Sequence, residues 1–346
     1  MIPPENSRLA LIAVASLIGC AIALISDPQS FLLGYLVAIV TVSAIPAGAL
    51  AVLLMTYLVR GAWTEDLHAP LLAAALTAPL AGALFLPLIA SAPWLYPAPA
   101  DPETFKSVYL TPTFVAARTL TYFALWTVLA SWAHAVWGNT DRMKVCASAG
   151  LIIYAVTGSL AGVDWLQALT PRFHSSIYGL LFLTFQMLAG FAFAVLVALR
   201  RPDAETHQYG AILVAALLLW AYNHAMQYII IWSGNMPDEA VWYMRRETGA
   251  WGFALWGLIF LQFVVPFFAL LSHHVRRSRQ SLLILAAGTL ALRLLEAAAL
   301  ALPGIASNLG AVAVGLALSV LMAGIVWWAV FVYIFDRLGV ARRREA

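Results

Sequence analysis

Apolar runs of about twenty residues or more recur from one end of this chain to the other, and no other feature constrains its fold as much. A helix rises about 1.5 Å per residue, so each run is long enough to cross a hydrocarbon core of about 30 Å. In lipid, backbone N–H and C=O groups must be satisfied within the segment or by a closed barrel, and runs of this length select helices. Ten can be marked: Arg8–Ser26, Phe31–Leu58, Ala69–Leu95, Thr113–Val136, Val145–Val163, Ser176–Leu199, Gln208–Ser233, Gly249–Ser272, Ser281–Leu302 and Ala306–Phe335. Composition agrees, since 63% of the residues are hydrophobic and 10% charged, too little polar surface to cover a soluble globule of 346 residues. The fold class is therefore all-α, a single polytopic membrane domain of ten transmembrane helices.

With an even number of crossings both termini share a side, and the Lys/Arg count of alternate connections identifies it. The terminal side carries Arg8, Arg60, Arg142, Lys144, Arg200, Arg201, Arg276, Arg277, Arg279, Arg337, Arg342, Arg343 and Arg344. The opposite side carries Lys106, Arg172, Arg245 and Arg246, while Arg118 and Arg293 fall inside spans. This asymmetry predicts cytoplasmic N- and C-termini. The longer connections, Tyr96–Pro112, Asp164–Ser175 and Gly234–Thr248, then lie on the outer side with the interfacial aromatics Trp94, Tyr96, Trp165, Trp242, Tyr243 and Trp251. The only marked bias of composition is the Pro-rich stretch Pro97–Pro102. Leu17-Ile18-Gly19-Cys20 has the shape of a lipobox, but the apolar run continues to Ile25, so a retained first span is expected.

Cys20 and Cys146 are the only cysteines, too few for a four-cysteine iron–sulfur cluster. A bis-histidine haem site needs two membrane histidines at matching depth. His134 lies near the inner end of its span and His224 in the outer third, and His273 and His274 read as part of a solvated basic edge beside Arg276 and Arg277. No haem and no metal are expected. Nothing in the charge pattern suggests nucleic acid.

Ionisable residues at membrane depth cost about 3 kcal/mol each even on lenient insertion scales, so they are paired or functional. Arg118 sits about 8 Å below the outer edge of the fourth span and His224 about 24 Å from the inner edge of the seventh. Arg293 and Glu296 lie just outward of the midplane on the ninth, and Asp164 closes the fifth at the outer boundary. Trp220, Asn223, His224, Gln227 and Tyr228 fall within an arc of roughly 140° at 100° per residue, a polar and aromatic stripe that faces protein or a cavity. Arg293 and Glu296, three apart, share a helical face and can neutralise each other. As a structural reading, such groups hold helices together through interhelical hydrogen bonds of about 1 kcal/mol each. As a functional one, they mark a ligand site or proton relay.

Two stretches carry a resemblance. Asp164-Trp165-Leu166-Gln167-Ala168-Leu169-Thr170-Pro171-Arg172-Phe173-His174-Ser175-Ser176-Ile177-Tyr178-Gly179 is similar to a loop of the ActF family, NrfD-like membrane subunits of bacterial alternative complex III. Gln227-Tyr228-Ile229-Ile230-Ile231-Trp232-Ser233-Gly234-Asn235-Met236-Pro237-Asp238-Glu239, followed by Trp242, Tyr243 and Arg246, resembles that family's second outer motif. The resemblance implies two four-helix bundles, helices two to five (residues 31–163) and six to nine (residues 176–302), flanked by helices one and ten. It also implies a multi-pass subunit of a bacterial inner-membrane complex that oxidises quinol or menaquinol. Its partners would be a related NrfD-like membrane subunit, an iron–sulfur subunit, a multihaem cytochrome c and a terminal oxidase, which hold the redox centres. In that family ActF has been proposed as a proton path.

The resemblance further implies a cofactor-free subunit that anchors the complex, with a quinol site or proton path near the outer face. Quinol oxidation needs proton acceptors at the quinone oxygens. His224 with Asp164 are candidate acceptors, Arg118 with Tyr122 candidates to orient the head group, and Arg293, Glu296, Asn223 and Gln227 complete the candidate set. His174, Asp238, Glu239 and Arg246 are candidates for docking a partner, and Pro171 and Pro237 for shaping turns. The inner half offers little beyond Ser131, His134, Tyr154 and Thr157, which speaks against proton pumping. The alternatives are a membrane scaffold without chemistry and a stand-alone transporter.

Overall fold

The computed structural model describes residues 4–59, 61–96, 108–170, 172–201 and 206–345; Arg60, the Pro-rich stretch, Lys106 and Pro171 lie outside them. Every regular element among them is helical. Ten helices are long and apolar enough to cross a membrane: Arg8–Ser26, Pro28–Leu58, Trp63–Ala90, Pro112–Ala135, Thr140–Leu169, Tyr178–Ala198, Gln208–Ser233, Gly249–Leu271, Arg279–Ala301 and Leu309–Gly339. They are called the first to tenth spans below. The protein is an all-α, multi-pass membrane protein.

Two boundaries differ from the sequence reading for a definable reason. The third span starts at Trp63 instead of Ala69, because Asp66 is matched by Arg201 (3.0 Å) and by the Tyr209 hydroxyl (3.2 Å) and so can sit on the helix. The fifth starts at Thr140 instead of Val145, because Asn139 caps it by accepting the Arg142 N–H (3.1 Å), which carries the charged turn into the helix.

Spans two to five pack among themselves, as do spans six to nine. The second and sixth run against each other along the middle, and the first and tenth pack together and onto the second. The second span is the centre of the molecule, with the whole of its most apolar window buried by other helices. Glycines permit that contact. A methyl group on Gly48 would lie 1.7 Å from the Gln186 carbonyl oxygen, and one on Gly190 2.1 Å from the Ala49 nitrogen. Such backbone-to-backbone approach is how helices associate where no hydrophobic effect acts between them.

The described parts of the connections after the third, fifth, seventh and ninth spans gather at one end. Tyr96 donates to the Trp165 carbonyl (3.1 Å), Phe173 stacks on Trp242 (4.5 Å between centroids), and Arg246 reaches the carbonyls of Ala299 and Leu300. We call this the long-loop end. One of these connections is a helix, Pro237–Glu247. Pro237 opens its first turn with Asp238 and Glu239 behind it, and Arg245 and Arg246 close its last, the charge order that suits a helix dipole. The turn itself is made by Asn235 at φ 48°. Pro237 therefore starts a helix instead of shaping a turn.

Candidate functional site

The membrane-embedded charges fall into two clusters. In the first, Arg118 of the fourth span grips Asp164 of the fifth through two parallel bonds, Nε to Oδ2 and Nη2 to Oδ1, each 2.9 Å. Tyr122, one turn below Arg118, donates its hydroxyl to Oδ2 at 2.7 Å. The remaining Arg118 nitrogen donates to the Tyr109 carbonyl (2.9 Å), and the guanidinium lies over the Tyr109 and Phe114 rings at 3.7 and 4.6 Å. Asp164 is fully buried and Arg118 only 12% exposed. Bidentate geometry is the strongest form of this pairing, and both carboxylate oxygens are occupied. Burial and the nearby Asp164 carboxylate push the Tyr109 phenol up to about 12.

The second cluster lies on spans seven and nine. Glu296 receives His224 Nε2 and the Trp220 indole N–H on Oε1, both at 2.9 Å, and forms an ion pair through Oε2 with Arg293. Arg293 also donates Nε to the Thr289 carbonyl one turn back (3.3 Å), and the rings of Phe185 and Trp220 flank its guanidinium. Arg293 and Glu296 are wholly buried, whereas the His224 side chain is 26% exposed. His224 is thus the one member of the cluster that reaches the surface.

Around this cluster the polar accounting does not close. The amide oxygen of Asn223, both amide atoms of Gln262 and Nη2 of Arg293 are buried without a hydrogen-bond partner among the described residues. Gln262 is fully buried on a π-helical turn, Phe260–Val264, which packs against spans seven and nine. Its cause is local: Pro266 has no N–H to offer the carbonyl four residues back, so the helix widens there. π-Turns of this kind often mark functional sites. Nearer the long-loop end, Gln227 accepts the Ser175 hydroxyl (3.2 Å).

The structure thus separates residues that the sequence reading had joined. Asp164 is not beside His224; its oxygens belong to Arg118 and Tyr122, so these three cannot serve as free acceptor and head-group ligands as they stand. His224 instead faces Glu296. Of the seventh-span stripe, Trp220, Asn223 and Gln227 are buried, while Tyr228 is 42% exposed at its edge and packs edge-on to Tyr243.

Arg246 is also corrected. It is 3% exposed, lies 3.4 Å over the Trp242 ring, and spends its donors on the carbonyls of Trp242, Ala299 and Leu300 at 2.7–2.8 Å. It closes the end of the ninth span and is not available for docking. Burial pulls its guanidinium below the ordinary value, and the three carbonyls hold it in its charged form. Asp238 remains exposed, and Glu239 lies 3.7 Å from His174.

Sequence reasoning missed Gln262 and His68. Gln262 is a lone amide inside an aromatic run followed by Pro266, a signal that was legible. His68 lies one residue before the third span expected from the sequence, which starts at Ala69, and inside the observed one. It is 2% exposed, bonded to the Tyr57 hydroxyl (3.2 Å) and stacked on Trp137 (3.3 Å), so that half of the molecule is more polar than Ser131, His134, Tyr154 and Thr157 alone suggested. Of those, Tyr154 donates to Gln186 (2.7 Å), Thr157 accepts from Trp126 (2.9 Å), and Ser131 and His134 are exposed. Open clefts occur at the short-loop end, lined in part by Trp132, Asp141 and Arg142 or by Thr64, Glu65 and Trp137, and neither includes a residue of the two clusters. Compared with known proteins, the chain matches no family model and no curated sequence.

Proposed function

We propose that this protein is a membrane subunit of a quinol-oxidising respiratory complex of the alternative complex III type, an ActF-like protein of the bacterial inner membrane with two four-helix bundles. We place its quinol-linked chemistry at the second cluster. The observation that carries this reading is the His224–Glu296–Arg293 chain, in which a partly exposed imidazole is backed by a buried, charge-balanced carboxylate.

The roles follow from the bonds. With Nε2–H donated to Glu296, a tautomer assigned from that contact, Nδ1 of the partly exposed His224 is left as the acceptor. A quinol hydroxyl that donates to Nδ1 would give its proton to the imidazole, which would pass it to the aqueous phase and then take the second proton in turn, while the two electrons would go to a redox centre supplied by a partner subunit. Glu296 stabilises the imidazolium, and Arg293 keeps Glu296 ionised in a dry environment, the same logic by which a third group orients a general base. The His224 side chain is 26% exposed on an apolar span, so the substrate approaches laterally from the bilayer, as a lipophilic quinol does.

The test is turnover per assembled complex. His224→Ala is expected to lower quinol oxidation by about a hundredfold or more, the usual scale for losing a general base. An undiminished rate in His224→Ala would remove the proposal. The saturation of the Arg118–Asp164 cluster favours a second reading, a scaffold without chemistry. On that reading substitutions in either cluster change the amount of complex but not its rate.

A further inference from the structure

We propose that the turn between the eighth and ninth spans is a binding site for the phosphodiester headgroup of an anionic phospholipid. The segment Ser272–Ser281 holds His273, His274, Arg276, Arg277 and Arg279 and no carboxylate. Among the described residues, none of the three arginines has an ion-pair partner. By contrast Arg201, at the same end, is matched by Asp66.

Three observations distinguish this from a merely solvated basic edge. Arg276 is packed, with its stem against Gly210 of the seventh span so closely that a methyl group on Gly210 would lie 3.0 Å from Cγ. Its Nε is buried and finds no acceptor among the described residues, and a buried donor left unmade seeks one. The ninth span begins here with Ser278 as its cap and no acidic residue in its first turn, so its positive end adds to the arginines instead of being offset by a carboxylate. Thr206 ties the turn to the seventh span by donating to the Arg277 carbonyl (3.3 Å).

The occupant that satisfies these groups has a phosphate and an apolar body. Phe268 and Leu271 at the end of the eighth span are 65% and 56% exposed, and Ile284 on the ninth is 64% exposed. They supply apolar surface for acyl chains at both flanks of the turn. Basic pockets between membrane helices bind such headgroups, with about 1 kcal/mol from each basic residue near the surface. The proposal is independent of the quinol reading, and its test uses no turnover measurement.

The full chain in neutral detergent is titrated with phosphatidylglycerol, phosphatidylcholine or inorganic phosphate, and thermal unfolding is followed. Phosphatidylglycerol is expected to raise the unfolding midpoint, with phosphatidylcholine and phosphate ineffective. Arg276→Gln/Arg277→Gln is expected to weaken the apparent phosphatidylglycerol affinity by about tenfold or more. Gly210→Leu, which dislodges Arg276 without changing charge, is expected to weaken it in the same direction. Equal stabilisation by phosphatidylcholine, reproduction of the effect by inorganic phosphate, or unchanged affinity in the arginine double variant overturns the proposal. A Gly210→Leu protein that folds and binds as the wild type reduces the site to diffuse charge and equally overturns it.

Discussion

The two intramembrane clusters use the same chemistry, an arginine against a carboxylate, and finish differently. Around Asp164 every acceptor is filled, by two guanidinium bonds and a tyrosine. At Glu296 the arginine keeps a nitrogen unused and a histidine connects the carboxylate to the surface, while Asn223 on the seventh span and Gln262 on the π-turn packed against spans seven and nine have buried amide atoms without partners among the described residues. A saturated buried network rigidifies a fold, whereas an incompletely satisfied one costs about 1–3 kcal/mol for each orphaned group and persists where something other than stability retains it. On the proposed reading, the first cluster serves the structure and the second carries the chemistry.

The comparison breaks most visibly at Arg293. Arg293→Leu leaves Glu296 buried without its cation and is expected to cost about 3–5 kcal/mol in unfolding measurements, with Arg293→Leu/Glu296→Leu recovering most of it. Asp164→Asn is expected to cost less, about 1.5–3 kcal/mol, since Arg118 retains carbonyl and ring contacts; assembly falls while quinol oxidation per complex holds. A turnover loss in Asp164→Asn as large as that of His224→Ala would erase the distinction.

Gln262→Leu sharpens it from the other side. Removing an unsatisfied amide at nearly constant volume is expected to stabilise the protein by about 1–2 kcal/mol while lowering turnover, whereas Gln186→Leu, which strips the Tyr154 hydroxyl of its partner, destabilises by a similar amount. Thermal midpoints of the two variants, measured side by side, decide whether saturation is the right criterion.

The smallest effect lies outside both clusters. Asp27, the half-buried cap of the second span, is held below the ordinary carboxylate value by the Ser30 hydroxyl and then by its backbone N–H. Its contribution is therefore complete above the unfolded value of about 4 and fades as pH falls through the lower folded value. Amide-exchange protection at Ser30 should drop over that interval without change at either cluster.

Much of this was legible in the sequence. Span number and order follow from apolar length, because lipid enforces one secondary structure and leaves little for context to override. Arg293 and Glu296 were legible as a pair because they are neighbours on one helix. The partners of Asp164 and His224 were not, since each pairing depends on which helices touch, and depth alone placed all of these residues in the same half. His68 was lost to a boundary drawn by charge, and that boundary failed because Asp66 has partners on other spans. Arg246 sits in an outer connection and carries charge, so it read as a docking residue; only the fold shows that its guanidinium ends another helix.

The second span has a consequence for how the protein is made. It is synthesised before two of the helices that cover it most, the sixth and the tenth, residues 178–198 and 309–339. In the finished protein it meets helices and not lipid, so its mean hydropathy of 2.4 is no adaptation to its final surroundings. That apolarity is a requirement of the waiting period, during which lipid stands in for the later helices. Glycines such as Gly48 then let the newcomers dock backbone to backbone. A polar residue tolerable in the completed interior would therefore fail earlier, at insertion, before any partner existed to receive it.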